Sequence, residues 1–127
     1  MNTNEQEIIY KELSYQIMNL VFEVHNKLGC GFLEKVHENA VCIKLRKSGV
    51  NAIQQAPISV YFEDEIVGEY FADILIEDKI ILELKCVDEI SDIHRAQVIN
   101  YLRATNMRLG IIINFAKPKL EYERIVL

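Results

Sequence analysis

A chain of 127 residues, half of them hydrophobic, suits one domain with a real core and excludes a disordered polymer. Its net charge of −5 argues against a protein that coats nucleic acid through bulk electrostatics. No apolar run approaches the roughly 20 residues that a membrane span requires.

The first seven residues are polar and acidic and lack the basic start of a signal peptide, so a cytoplasmic protein is expected. Cys30, Cys42 and Cys86 are odd in number and form no CxxC pair. They predict neither a disulfide framework nor a zinc knuckle, and small buried thiols are the expectation. Lys44, Arg46, Lys47, Arg95, Arg103 and Arg108 are available for a local basic patch.

Ile9, Leu13, Ile17, Leu20, Val24 and Leu28 recur every three or four residues and predict a first helix from about Glu5 to Leu28. Gly29 stops it. Its long stripe could also pack on a second copy of the chain or on a protein partner. A second helix is expected from Leu33 to Ser48, with Gly49 just beyond. The period then changes to two: Ile58, Val60 and Phe62 read as a strand and Glu63-Asp64 as a turn. A return strand runs from Ile66 through Ile76, and Asp78-Lys79 turns it into Ile80–Cys86. Ser91 caps a helix reaching Ala104, and Asp88, Glu89 and Asp92 suit its positive end. Leu109–Phe115 and Tyr122–Val126 complete the chain as strands. Pro57 and Pro118 are read as element boundaries. The order α-α-β-β-β-α-β-β predicts an α/β fold with a central mixed sheet flanked by helices, over residues 1–127 as a single domain.

The chemistry concentrates between 73 and 85. Glu83 and Lys85 stand two apart on a strand and share a face, and a turn near 78 brings Asp73 opposite Glu83. Leu75 and Ile81 accompany them, while Ile74, Ile76, Leu82 and Leu84 occupy the other face. Apolar neighbours on both sides mark a covered hairpin, where charge is costly unless paired or bound to a metal. Two carboxylates suit a hard cation such as Mg²⁺, which activates water and stabilises charge at a phosphate. Lys85 either orients that water or neutralises developing charge. No Walker loop and no nucleophile elbow occurs. His25, His37 and His94 lack metal-ligand spacing.

The arrangement Asp73…Glu83-Leu84-Lys85 resembles the D-x(n)-E-x-K core of the PD-(D/E)XK nuclease superfamily. Gly31-Phe32-Leu33-Glu34-Lys35-Val36-His37 resembles the signature of its GxxExxY family, with His37 where that signature has Tyr. The resemblance covers nearly the whole chain and implies a restriction-endonuclease-like core. It implies that Asp73 and Glu83 bind Mg²⁺ or Mn²⁺, that Glu34 completes the metal site, and that Lys85 assists catalysis. Gln97 and Tyr101 match a Q-x-x-x-Y pair found in many relatives and share a helix face. The implied activity is metal-dependent hydrolysis of nucleic-acid phosphodiesters, with DNA as the expected partner. The acidic balance and His37 also motivate an alternative: a nuclease-fold module that binds nucleic acid or protein without turnover.

Overall fold

The computed structural model describes residues 8–127. Two helices come first, α1 (Lys11–Leu28) and α2 (Glu34–Lys47). Ile17, Val21 and Val24 of α1 and Val41 and Leu45 of α2 are buried, so one apolar stripe of each helix faces the sheet. Helix α1 begins six residues later than the periodicity predicts, and positions 5–7 of the predicted helix lie outside the described residues. Tyr10, at φ 51°, breaks the helical path just before Lys11. At the other end Gly29 takes φ 76°, and its N–H closes the last turn on the His25 carbonyl at 2.8 Å. The stripe of α1 is spent within the chain, since Leu13, Leu20 and Leu28 pack against its own core.

Five strands follow in the spatial order β1 (Ala52–Phe62), β2 (Glu65–Ile76), β3 (Ile80–Lys85), β4 (Leu109–Asn114) and β5 (Glu121–Val126). Only β3 and β4 run parallel, and α3 (Asp92–Thr105) makes the crossover between them. The predicted element order and the mixed sheet are both observed. Glu63 and Asp64 turn the first hairpin with left-handed φ of 49° and 68°, the geometry of a tight two-residue turn. The second turn starts one residue earlier than predicted, with Glu77 and Asp78 left-handed. Ser91 caps α3 and forms a capping box with His94, whose ring accepts the Ser91 N–H at 3.1 Å.

Two expectations need correction. Pro57 is no boundary, because it lies inside β1, paired with Phe71. A strand on the edge of the sheet tolerates proline where the missing N–H would face outward. The thiols are not uniformly buried either: Cys42 is, Cys86 is half-buried and Cys30 is exposed.

The sheet separates two apolar layers. Helices α1 and α2 cover Ile74, Ile76, Leu82, Leu84, Ile111 and Ile113. Helix α3 covers Ile58, Ala72, Ile81 and Ile112 through Val98, Tyr101 and Leu102. No helix among the described residues is long and apolar enough to cross a membrane. The α3 layer lies close at Gly110, where an added Cβ would collide with Val98 Cγ1. Gly110→Ala should therefore cost about 1–3 kcal/mol in urea unfolding, and Val98→Ala in the same chain should recover part of it. An unchanged midpoint for Gly110→Ala would contradict this packing.

Candidate active site

The β2–β3 ladder pairs Ile76 with Ile80, Leu75 with Ile81 and Ile74 with Leu82, and stops there. The next register pair is Asp73 with Glu83. Instead of backbone pairing, the Asp73 N–H donates to Glu83 Oε2 at 2.7 Å and the Leu84 N–H donates to Asp73 Oδ2 at 2.9 Å. Each carboxylate thus satisfies a main-chain donor that the other strand no longer serves. The strands part at the two acids, while β3 stays paired with β4 as far as Lys85 and Asn114.

The parting is matched on β1. Register runs from Gln54–Ile74 directly to Ala56–Ala72, leaving Gln55 and Asp73 unpaired. Gln55 is left-handed, φ 53°. Across this break the facing of β2 changes: Ile74 packs under α1 and α2, whereas Ala72 packs under α3. Simple alternation would put both on one side. The Gln55 amide donates to both oxygens of Glu38 at 3.1 Å and lies 3.4 Å from Asp73 Oδ1.

Lys85 projects towards α3, where its Nζ donates to Gln97 Oε1 at 3.1 Å. Gln97 Nε2 in turn donates to the Tyr101 hydroxyl at 3.1 Å. Glu34 stands at the start of α2, and its Oε2 accepts the Cys86 N–H at 3.2 Å. Asp73, Glu83, Lys85, Gln97 and Tyr101 therefore meet at one end of the sheet, with Glu34 holding the chain just past Lys85. Among the described residues no three His, Cys, Asp or Glu side chains form a ready-made metal group.

Burial pushes the Asp73 carboxyl up to about 6, with the charges of Glu38 and Glu34 adding to it. Glu83 is pushed up to about 8, by burial first and by Asp73 next. Lys85 favours the charged form of both, and is outweighed. The pair is short of positive charge. Asp73 Oδ1 and Glu83 Oε1 are not committed to the main chain, so a cation can take one oxygen from each. With so few side-chain donors the set fits a hard cation that keeps its waters and does not fit tetrahedral zinc.

His37 does not approach the acids. Its ring stacks on Phe115 at 4.3 Å and 15°, fully buried, and neither nitrogen has a partner. Burial, then His25, lowers its pKa and keeps it neutral. The basic residues do not make one free patch. Arg95 is held by Glu123 in a two-bond fork at 2.7 and 2.8 Å and by Asp92, and Lys44 pairs with Glu23. Sequence reading missed Glu38, although it follows Glu34 by four residues on the same helix face. Glu38 is buried, and hydrogen bonds from Lys35, Gln54 and Gln55 overcome that burial to hold its carboxyl below the usual range. Asn114 was missed as well. Its side chain accepts the Val87 N–H and donates to the Val87 carbonyl, clipping the segment after Lys85.

A family model for the PD-(D/E)XK nuclease superfamily matches residues 11–125. No curated protein matches the chain. Among solved structures, the crystal structure of SSO0001 is similar with a TM-score of 0.59 at 14% identity. That likeness covers 87% of this chain and 65% of the other, and at this identity it shows the fold alone.

The raised carboxyls make metal-free stability fall with pH. A carboxyl raised in the folded state carries no penalty below its ordinary value, and the penalty grows as pH rises through the raised one. For Glu83 that window runs from 4.5 to about 8. In EDTA at the top of this window, Glu83→Gln should be more stable than wild type by on the order of 2 kcal/mol, with the gap closing towards the acid end. An equal pH slope in both proteins would contradict the assignment. His37 works in the opposite sense: its stability is full above the ordinary imidazole value and falls as pH drops below it. His37→Phe should flatten the stability curve on the acid side, and an unaltered acid slope would contradict a neutral buried ring.

Proposed function

The chain belongs to the PD-(D/E)XK nuclease superfamily, and we propose that it hydrolyses DNA phosphodiester bonds with Mg²⁺ or Mn²⁺ held by Asp73 and Glu83. The observation that carries this reading is the cross-bonded pair itself. A half-buried and a buried carboxylate sit opposite each other, each bound to the main chain by one oxygen and short of a cation. We also read the chain as one domain and as a member of the GxxExxY branch, on Gly31 and Glu34. Glu34 then completes the metal site through Oε1, since only its Oε2 is held by the Cys86 N–H.

A bound divalent ion would supply an activated water and charge stabilisation at the phosphate. The chain's own residues do the rest. Lys85 places an ammonium beside the two acids, where charge develops on the phosphate oxygens. Gln97 fixes that ammonium through its Oε1, and Tyr101 fixes Gln97. The relay holds Lys85 away from a direct ion pair with either acid, which leaves its charge for the substrate. His37 takes no part, so the departure from the signature tyrosine falls in the core and does not touch the reacting groups.

Cleavage of a labelled DNA substrate with Mn²⁺ tests the reading. EDTA should abolish it, and Lys85→Ala or Asp73→Asn should each slow it by roughly 10² or more while far-ultraviolet dichroism stays unchanged. Undiminished cutting by a folded Lys85→Ala protein would overturn the reading. Binding without any metal-dependent cutting by wild type would favour a module that has kept the fold without turnover.

A further inference from the structure

A groove of about 860 Å³ runs between α3 and the outer arm of the β1–β2 hairpin. Its size is that of a ligand pocket. Its inner end is formed by Gln97 and Tyr101, the two residues that hold Lys85. Further out along the same face of α3 come Asn100 and Arg103, and the opposite wall carries Tyr61 and Tyr70. Tyr61 and Tyr70 are 62% and 51% exposed, far more than aromatic residues in a filled core. Tyr70 lies over Gly68, where a Cβ would come within 3.1 Å of its ring, and it meets Tyr101 at 6.0 Å and 44°. Arg103 has no acidic partner among the described residues.

We propose that this groove receives an unpaired DNA strand of the substrate, with Tyr61 and Tyr70 as stacking platforms for its bases and Arg103 as a phosphate contact. The proposal rests on the nuclease reading above and names its substrate class. A duplex turns phosphates outward and keeps its bases stacked inside, so tyrosine faces gain nothing from it. Holding a duplex takes several cations, and this groove offers one, in a chain of net charge −5. A single strand exposes the π-face of every base, and aromatic stacking supplies affinity without a basic surface. Gln97 lines the groove and also holds Lys85, so the stacking wall adjoins the site through that one side chain.

Fluorescence anisotropy in EDTA, which allows binding without cutting, tests this with a labelled oligothymidylate and a hairpin duplex of matched length. The single strand should bind about tenfold tighter than the duplex, and Tyr70→Ala should remove about tenfold of that affinity while Tyr70→Phe retains it. Equal binding of both forms, or no loss in a folded Tyr70→Ala protein, would overturn the proposal. So would a concentration-dependent dimer in light scattering that Tyr70→Ala dissolves, since the groove would then belong to a second copy. Adding Mn²⁺ separates the two readings. A strand held through Tyr70 and left uncut supports the groove and contradicts hydrolysis. Cutting by a protein whose strand binding ignores Tyr70→Ala does the reverse.

Discussion

Everything at this end of the molecule follows from one substitution of hydrogen-bond partners. Where β2 and β3 should continue their ladder, the Glu83 carboxylate takes the Asp73 N–H and the Asp73 carboxylate takes the Leu84 N–H. A buried strand pair cannot simply stop, because its orphaned N–H groups would cost free energy on the scale of lost hydrogen bonds. The two acids end the pairing without that loss. In doing so they are drawn into the protein, side by side, where their charge is expensive.

That cost explains the surrounding architecture. Burial, and then the charge of Asp73 opposite, push the Glu83 carboxyl up, and the remedies within reach are a proton, an ammonium or a metal ion. Lys85 is turned towards Gln97 and Tyr101 and does not neutralise the pair. Glu34 and Glu38 add further negative charge from α2, and Glu38 is itself held charged by Lys35, Gln54 and Gln55. A site arranged in this way is electrostatically incomplete, and a divalent cation would complete it.

Much of the fold was legible because it rests on periodicity. The stripe of α1, the Glu63-Asp64 turn, the Ser91 cap and the mixed sheet follow from spacing, turn chemistry and element order. Asp73, Glu83 and Lys85 were legible as charges between apolar neighbours on both strand faces. The break at Gln55 was not, because glutamine gives no hint of a left-handed φ and the change of facing between Ala72 and Ile74 violates the alternation from which strands are read. Polar Gln54 and Gln55, with Pro57 after them, also concealed the first half of β1. His37 was ambiguous in the sequence because an imidazole serves equally as a ligand, a hydrogen-bonding group or an aromatic disc. Stacking on Phe115 selects the last.

The central claim is that Asp73 and Glu83 together hold a divalent ion. A crystal soaked in Mn²⁺ and measured at the manganese absorption edge tests it most directly. The account predicts one strong anomalous peak bridging a carboxylate oxygen of each acid. A peak elsewhere, or none at this pair in a well-ordered crystal at a pH where both acids are ionised, would contradict it.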